Sequence, residues 1–280
     1  DNKKIEIILN QFVTVLKPYC NEFQKEYSEL NFNTLNNITN YIDHHIQQKF
    51  NLEDLSKLVN QNKYGFVKKF KASTGMSPMN YILMKKDFEV YKNIRQKANS
   101  GLYKYRTKQE IDSMYNWASL QIEQSKTHRD FFNIICQLSD FEGSTHNSVK
   151  LSNKIWKSIL NEQEGYFPYP IKLVEDKWIL NFETDEIPLG SEILSINGQK
   201  TKEIIKELYK YYETDGFNIT GKRIGIDYNF SRYYRLHFGL QNSFEVVFQF
   251  PKTLEKQTKT LKSIGIKDYY KNVGNRHLKP

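Results

Sequence analysis

Glu142-Gly-Ser-Thr-His146 is the stretch of this chain that most invites a catalytic reading, because it gathers an acid, two hydroxyls and an imidazole. Nucleophilic catalysis needs a hydroxyl held against a base, with that base oriented by a third group. Ser and Lys are plentiful elsewhere, yet none sits in an identifiable nucleophile–base arrangement. The chain therefore reads as no self-sufficient hydrolase, and no catalytic residue is assigned. Metal chemistry finds no support either. His44 and His45 are adjacent in a helical stretch and so point to different faces, and the 6 histidines show no ligand spacing. Cys20 and Cys136 are far apart, fit no metal or redox spacing and read as core thiols. Gly221-Lys-Arg-Ile-Gly225 is too sparse in glycine to cradle a phosphate. No cofactor is expected.

The chemistry that remains is charge. Lys and Arg number 41 against 32 Asp and Glu, for a formal net charge of +9. That favours polyanionic partners such as nucleic acid, although a Lys-rich composition also serves solubility. The charge concentrates usefully in Asn62–Lys71, where Lys63, Lys68, Lys69 and Lys71 accompany Tyr64 and Val67 without an acidic residue. Phe66 and Phe70 fall between them at the i, i+4 spacing of a buried helix stripe.

The elements that must hold these residues follow from caps and periodicity. Asn51 caps a helix with Glu53 and Asp54 in its first turn and Leu52, Leu55, Leu58 and Val59 inward. Asn62 caps the next, Gly75 stops it, and Ser77-Pro78 opens another. Before them lie two helical stripes: Ile5, Leu9, Phe12, Leu16, Cys20 and Phe23, kinked at Pro18, and then Ile38, Tyr41, Ile42, His45 and Ile46. Thr107-Lys-Gln-Glu110 is a capping box for a helix burying Ile111, Met114, Tyr115, Ala118 and Ile122. Further helices carry Phe131, Ile135 and Leu138, and Ile155, Trp156, Ile159 and Leu160. From about residue 170 the signal becomes β. Ile171–Val174 and Trp178–Phe182 flank the turn pair Glu175-Asp176, and Ser191–Ile196 runs into Asn197-Gly198. A helix from Thr201 and the alternating strand Phe244–Phe250 follow.

Two short helices with a basic outer face fit a helix-turn-helix, whose second helix enters the major groove; a small bundle with a solvated basic face fits the same residues. The run ITNYIDHHIQQKFNLEDLSKLVNQNKYGFVKKFKASTGMSPMNYILMKK, Ile38–Lys86, resembles the first helix-turn-helix of AraC-type transcriptional regulators. The pattern at Phe70, Lys71, Gly75, Ser77, Pro78 and Tyr81 carries the likeness. Ser56 stands where alanine is usual, and Gln61 where the turn is usually apolar. The resemblance implies binding of double-stranded DNA through Asn62, Lys63, Tyr64, Val67, Lys68, Lys69 and Lys71. The family carries two such motifs and this stretch shows one, so a homodimer would supply the second.

Residues 87–250 resemble the front portion of C-terminal-processing (tail-specific) serine peptidases of bacteria. The likeness starts at DFEVYKNIRQKANSGLYKY, is clearest at PLGSEILSINGQKTKEIIKEL, Pro188–Leu208, and continues through Tyr211–Gly216 and Phe244–Phe250. It implies a PDZ-like module near residues 170–250, in which Gly190, Ser191, Ile193 and Leu194 accept a peptide C-terminus by strand addition. The Ser/Lys catalytic core of such peptidases would lie beyond Pro280, and the Glu142–His146 stretch is structural in that family.

The expected fold class is α+β: an all-α helix-turn-helix domain over 1–86, then a helical segment with a small antiparallel PDZ-like sheet over 87–250, then a basic tail over 251–280. No stretch approaches the ~20 apolar residues that span a membrane. Ile5–Leu9 is too short for a signal peptide, so the expected compartment is the cytoplasm, or the periplasm or exterior if a signal has been removed.

Overall fold

The computed structural model describes residues 28–277. The stripe Ile5–Phe23, with Pro18 and Cys20, lies outside them. Ten α-helices and one antiparallel sheet of six strands are present among the described residues, an α+β fold. They form two compact units. The first runs to Val90 and includes Ser125–Thr127; the second comprises Tyr91–Gln124 and the residues from His128 onward.

In the first unit, α1 (Phe32–His44) starts where Asn31 accepts the Thr34 N–H, and buries Ile38 and Ile42. Tyr41 does not join that buried stripe; it stacks on His45 at the surface, ring centroids 4.2 Å apart. Asn51 caps α2 (Leu52–Leu58) through the Glu53 N–H, and Leu55 and Ser56 face inward while Leu58 is exposed. The chain turns through residues 59–62, with Asn60 at φ 51° and the Gln61 N–H donating to the Ser56 carbonyl at 2.9 Å. Asn62 then caps α3 (Lys63–Thr74), which ends at Gly75 in the left-handed region. A side chain there would strain the backbone and meet Lys126, whose Cβ lies 2.8 Å from the position a Cβ would take. Pro78 opens α4 (Pro78–Ala98), whose residues to Val90 belong to this unit. Phe66, Phe70 and Tyr81 pack edge to face, each step 5.6 Å, and join α3 to α4. Lys85 reaches Asp43 at 3.0 Å and ties α4 to α1.

In the second unit the expected capping box forms: Thr107 and Glu110 exchange hydrogen bonds at the start of α5 (Lys108–Gln124). That helix buries Ile111, Tyr115, Ala118 and Ile122 and packs on α6 (His128–Glu142). After α7 (Asn153–Ile159) the sheet begins. Strands β1 (Ile171–Val174) and β2 (Lys177–Leu180) are joined by Glu175 and Asp176, both at positive φ, as a two-residue hairpin turn demands. Strand β3 (Glu192–Ile196) turns at Asn197-Gly198, again both at positive φ, into β4 (Gln199–Lys200). Helix α8 (Thr201–Leu208) and a 3-10 turn (Tyr209–Tyr211) lead to α9 (Ile219–Phe238). Strands β5 (Ser243–Gln249) and β6 (Lys256–Lys262) and helix α10 (Ile266–Gly274) complete the unit. The sheet order is β1-β2-β3-β5-β6, with β4 beside β3.

The core gathers between the sheet and α9. Phe167 meets both Phe230 and Phe244 edge to face at 5.3 Å. Residues 251–277, expected as part of a basic tail, are folded into the unit. They contribute an edge strand and a helix whose Leu261, Ile266, Tyr269 and Val273 are buried in this core. Strand β6 pairs with β5 along its whole length, and its own sequence, Lys-Gln-Thr-Lys-Thr-Leu-Lys, buries only Leu261. Among the described residues its outer edge belongs to no pair, and Lys256, Lys259 and Lys262 are exposed along it.

Candidate nucleic-acid interface

Helix α3 has two unlike sides. At roughly 100° per residue, Lys71, Tyr64 and Lys68 fall on one arc of about 60°, Ser73, Phe66, Phe70 and Thr74 fall on another of about 100°, and Val67 lies at the border next to Thr74. The structure follows that division. Phe66 and Phe70 are wholly buried, and Tyr64 leaves 80% of its surface in solvent. Lys63, Lys68 and Lys71 are exposed, and Val67 is half-buried at the margin. Lys69 is half-buried and lies roughly 100° from Lys68, and Lys63 lies roughly 100° from Tyr64 on the other flank, so neither shares the outer face with Tyr64, Lys68 and Lys71.

Asn62 is at the helix start, and its side-chain oxygen accepts the Gly65 N–H at 2.8 Å. That oxygen is engaged in capping, which leaves the amide NH2 for any outside contact. Lys63 lies 3.6 Å from Glu53 of α2, an exposed pair that solvent and salt weaken. No acidic residue occurs in α3. The helix N-terminus adds its own partial positive charge to this face.

Ser56 explains the closeness of the two helices. It is 4% exposed, its hydroxyl donates to the Glu53 carbonyl at 2.8 Å, and its carbonyl accepts the Gln61 N–H that closes the turn. Only a small side chain fits such a site, and a hydroxyl is tolerated because its bond is satisfied within its own helix. Gln61, at the other unusual position, is half-buried.

The expected peptide site takes a different form. Gly190, Ser191, Ile193 and Leu194 lie at the start of β3, in the interior of the sheet. On one side Glu192 and Ile193 pair with Gln249 and Phe248 of β5. On the other, the Leu180 N–H donates to Ser191 and the Gly190 N–H to Leu180, and further along Ser195 and Ile196 pair with β4. Ser191 and Ile193 are buried. Strand addition needs an open row of N–H and C=O groups, and both rows of β3 are taken. The assignment of these four residues to a peptide groove is therefore corrected.

The Glu142–His146 stretch does not assemble into a catalytic group. Glu142 is 1% exposed and accepts from Arg95 and from the hydroxyls of Tyr91 (3.0 Å) and Tyr115 (3.3 Å). Burial works against the charge on Arg95, but the Glu142 carboxylate outweighs it and raises the guanidinium above its ordinary value. Burial and the same carboxylate push both tyrosines up. Gly143 accepts the Gly216 N–H, Thr145 bonds Asp215, and His146 is exposed. Glu142 and Thr145 are engaged elsewhere and His146 faces solvent, which leaves no relay from acid to imidazole to hydroxyl.

Among the described residues no cluster of His, Cys, Asp and Glu could hold a metal ion, and no helix is long and apolar enough to cross a membrane. A comparison with known proteins finds no family model and no curated protein that matches the chain.

Proposed function

We propose that the first unit binds double-stranded DNA, with α3 as the helix that enters the major groove, and that the protein acts as a transcriptional regulator. The observation that carries this reading is the outer face of α3: a nearly bare Tyr64 beside Lys68 and Lys71, on a helix without an acidic residue, braced from behind by buried Phe66 and Phe70. The exposed Tyr64 ring offers a base edge or sugar an aromatic surface. Tyr64, Val67 and Lys68 are placed to approach bases, and Lys63 and Lys71 to approach phosphates. Lys69, on the flank, contacts the backbone at most. One motif makes few contacts, so two copies of the chain reading half-sites one helical turn (about 34 Å) apart supply the rest.

Fluorescence anisotropy with duplex DNA from the gene's own upstream region, against scrambled duplex, tests the reading. The expected result is a preference for the native duplex and an affinity that falls with salt with a log–log slope of about −0.9 per phosphate contact. Lys68→Glu should remove the preference. Binding that ignores sequence and survives charge reversal at Lys68 and Lys71 would leave the basic face as a solvated one.

A further inference from the structure

The second unit holds a cavity of about 420 Å³, within the size range of small-molecule sites. Its walls include the rings of Phe132, Trp156, Tyr211 and Tyr233, and its polar groups include Arg232 and Glu213. The rings are locked by mutual contact: Phe132 stacks on Tyr211 at 6.3 Å and Tyr211 on Tyr233 at 5.4 Å. These stacks leave one aromatic wall, formed by residues of α6, α9 and the 3-10 turn between α8 and α9.

Arg232 is the unusual member. Its guanidinium lies 5.4 Å from the Trp156 ring centre and 5.0 Å from that of Tyr233, held between two π faces. Its Nε is enclosed and donates to nothing. None of the ion pairs among the described residues includes Arg232, whereas Arg95 and Arg235 each have a glutamate. Glu213 lines the same cavity but accepts the Val149 N–H at 3.0 Å. The guanidinium hydrogen-bonds the side chains of Tyr233 and Tyr270 but pairs with no carboxylate among the described residues, so a cation at the wall of an aromatic cavity is left without an anion.

We infer that this cavity binds a small aromatic monocarboxylate, its ring against the Phe132–Tyr211–Tyr233 wall and its carboxylate on Arg232. A planar guanidinium pairs a carboxylate with two parallel hydrogen bonds, and the Nη groups of Arg232 are the donors that remain for it, since Nε is enclosed. Lys150 lines the cavity as well, and the Glu213 carboxylate on the same wall works against a second negative charge on the ligand. The inference concerns the second unit alone and stands whether or not α3 binds DNA.

The test is isothermal titration calorimetry of the whole chain with phenylacetate, benzoate and indole-3-acetate, each beside its amide, together with Trp156 fluorescence. At least one acid should bind and its amide should not. Trp156→Phe, which keeps an aromatic ring at the wall, should lose the fluorescence change that distinguishes this site. Arg232→Met should weaken binding roughly tenfold to a hundredfold. Should Arg232→Met fail to fold, Leu151→Trp, which fills the cavity and leaves Arg232 in place, should abolish binding while the melting transition is retained. The proposal is overturned if none of the acids binds up to millimolar concentration, if acids and amides bind alike, or if a folded Leu151→Trp binds as well as the parent.

Discussion

Helix α3 and strand β3 are the two segments whose residues most strongly suggested recognition, and they keep their recognition groups in opposite conditions. The backbone of α3 satisfies itself, and Tyr64, Lys68 and Lys71 stand in solvent. The backbone of β3 can be satisfied only by other strands, and β2, β4 and β5 have taken both of its edges. A helix's own residues announce which face is left over. A strand's do not announce which edge is.

The largest effects should come from what braces the two segments. Phe70→Ala removes a fully buried ring behind α3 and should cost the first unit about 3–5 kcal/mol, read by urea unfolding. Ile196→Ala, buried in β3 beside the Asn197 turn, should cost the second about 2–5 kcal/mol. A loss below about 1 kcal/mol at either position would break the contrast between braced and outward residues. Arg95→Met should also cost about 3–5 kcal/mol, because it strands the buried Glu142 carboxylate. If Arg95→Met left stability intact, the structural role given to Glu142 would fall.

Two buried ionisable groups of the second unit give a smaller effect with opposed signs. Burial raises Asp227 to about 6, against the Leu173 N–H and the charges of Lys172 and Arg276. The native state therefore binds this proton more tightly than the unfolded chain, and stability gains as pH falls from about 6 towards 3.8. His237 is lowered to about 4 by burial and by Lys210 and Arg129, so its contribution is present above pH 6.5 and is lost as pH falls towards 4. Over the shared window the two offset one another. Asp227→Asn should be more stable than the parent at pH 7 by about 1–2 kcal/mol, after allowance for partial exposure, with the difference closing near pH 4. His237→Gln should gain by a similar amount relative to the parent as pH falls from about 6.5 to 4. Parallel stability profiles for parent and variants would remove both assignments.

The smallest change in stability should come with the largest change in recognition. Tyr64→Ala and Lys71→Ala lie on the outer face of α3 and should move stability by no more than about 0.5 kcal/mol. Each should weaken duplex binding, and Lys71→Ala should shorten the salt slope by about 0.9. Equal losses of stability and affinity would mean that these residues support the helix.

The first unit was largely legible because its instructions are local. Asn51 and Asn62 cap, Gly75 stops and Pro78 starts, each acting through backbone groups within a few residues. Thr107 with Glu110, and Asn197 with Gly198, were readable for the same reason. Helix α9 was not anticipated. It buries residues such as Ile226, Phe230, Tyr233 and Tyr234 against the sheet, α6 and α10 together, so no single stripe stands out. Strand β6 is polar in composition and exists through its pairing with β5, a partner its own residues do not specify. The spare guanidinium of Arg232 is a tertiary fact, invisible until Trp156 and Tyr233 are brought beside it.

The open edge of β6 sets a rule for self-association. A second copy laid antiparallel against it and centred on Lys259 would bring Lys259 against Lys259 and Lys256 against Lys262, three like-charged encounters in seven residues. In that register the like charges oppose extension of the sheet from one molecule into the next through this edge while those amines are protonated.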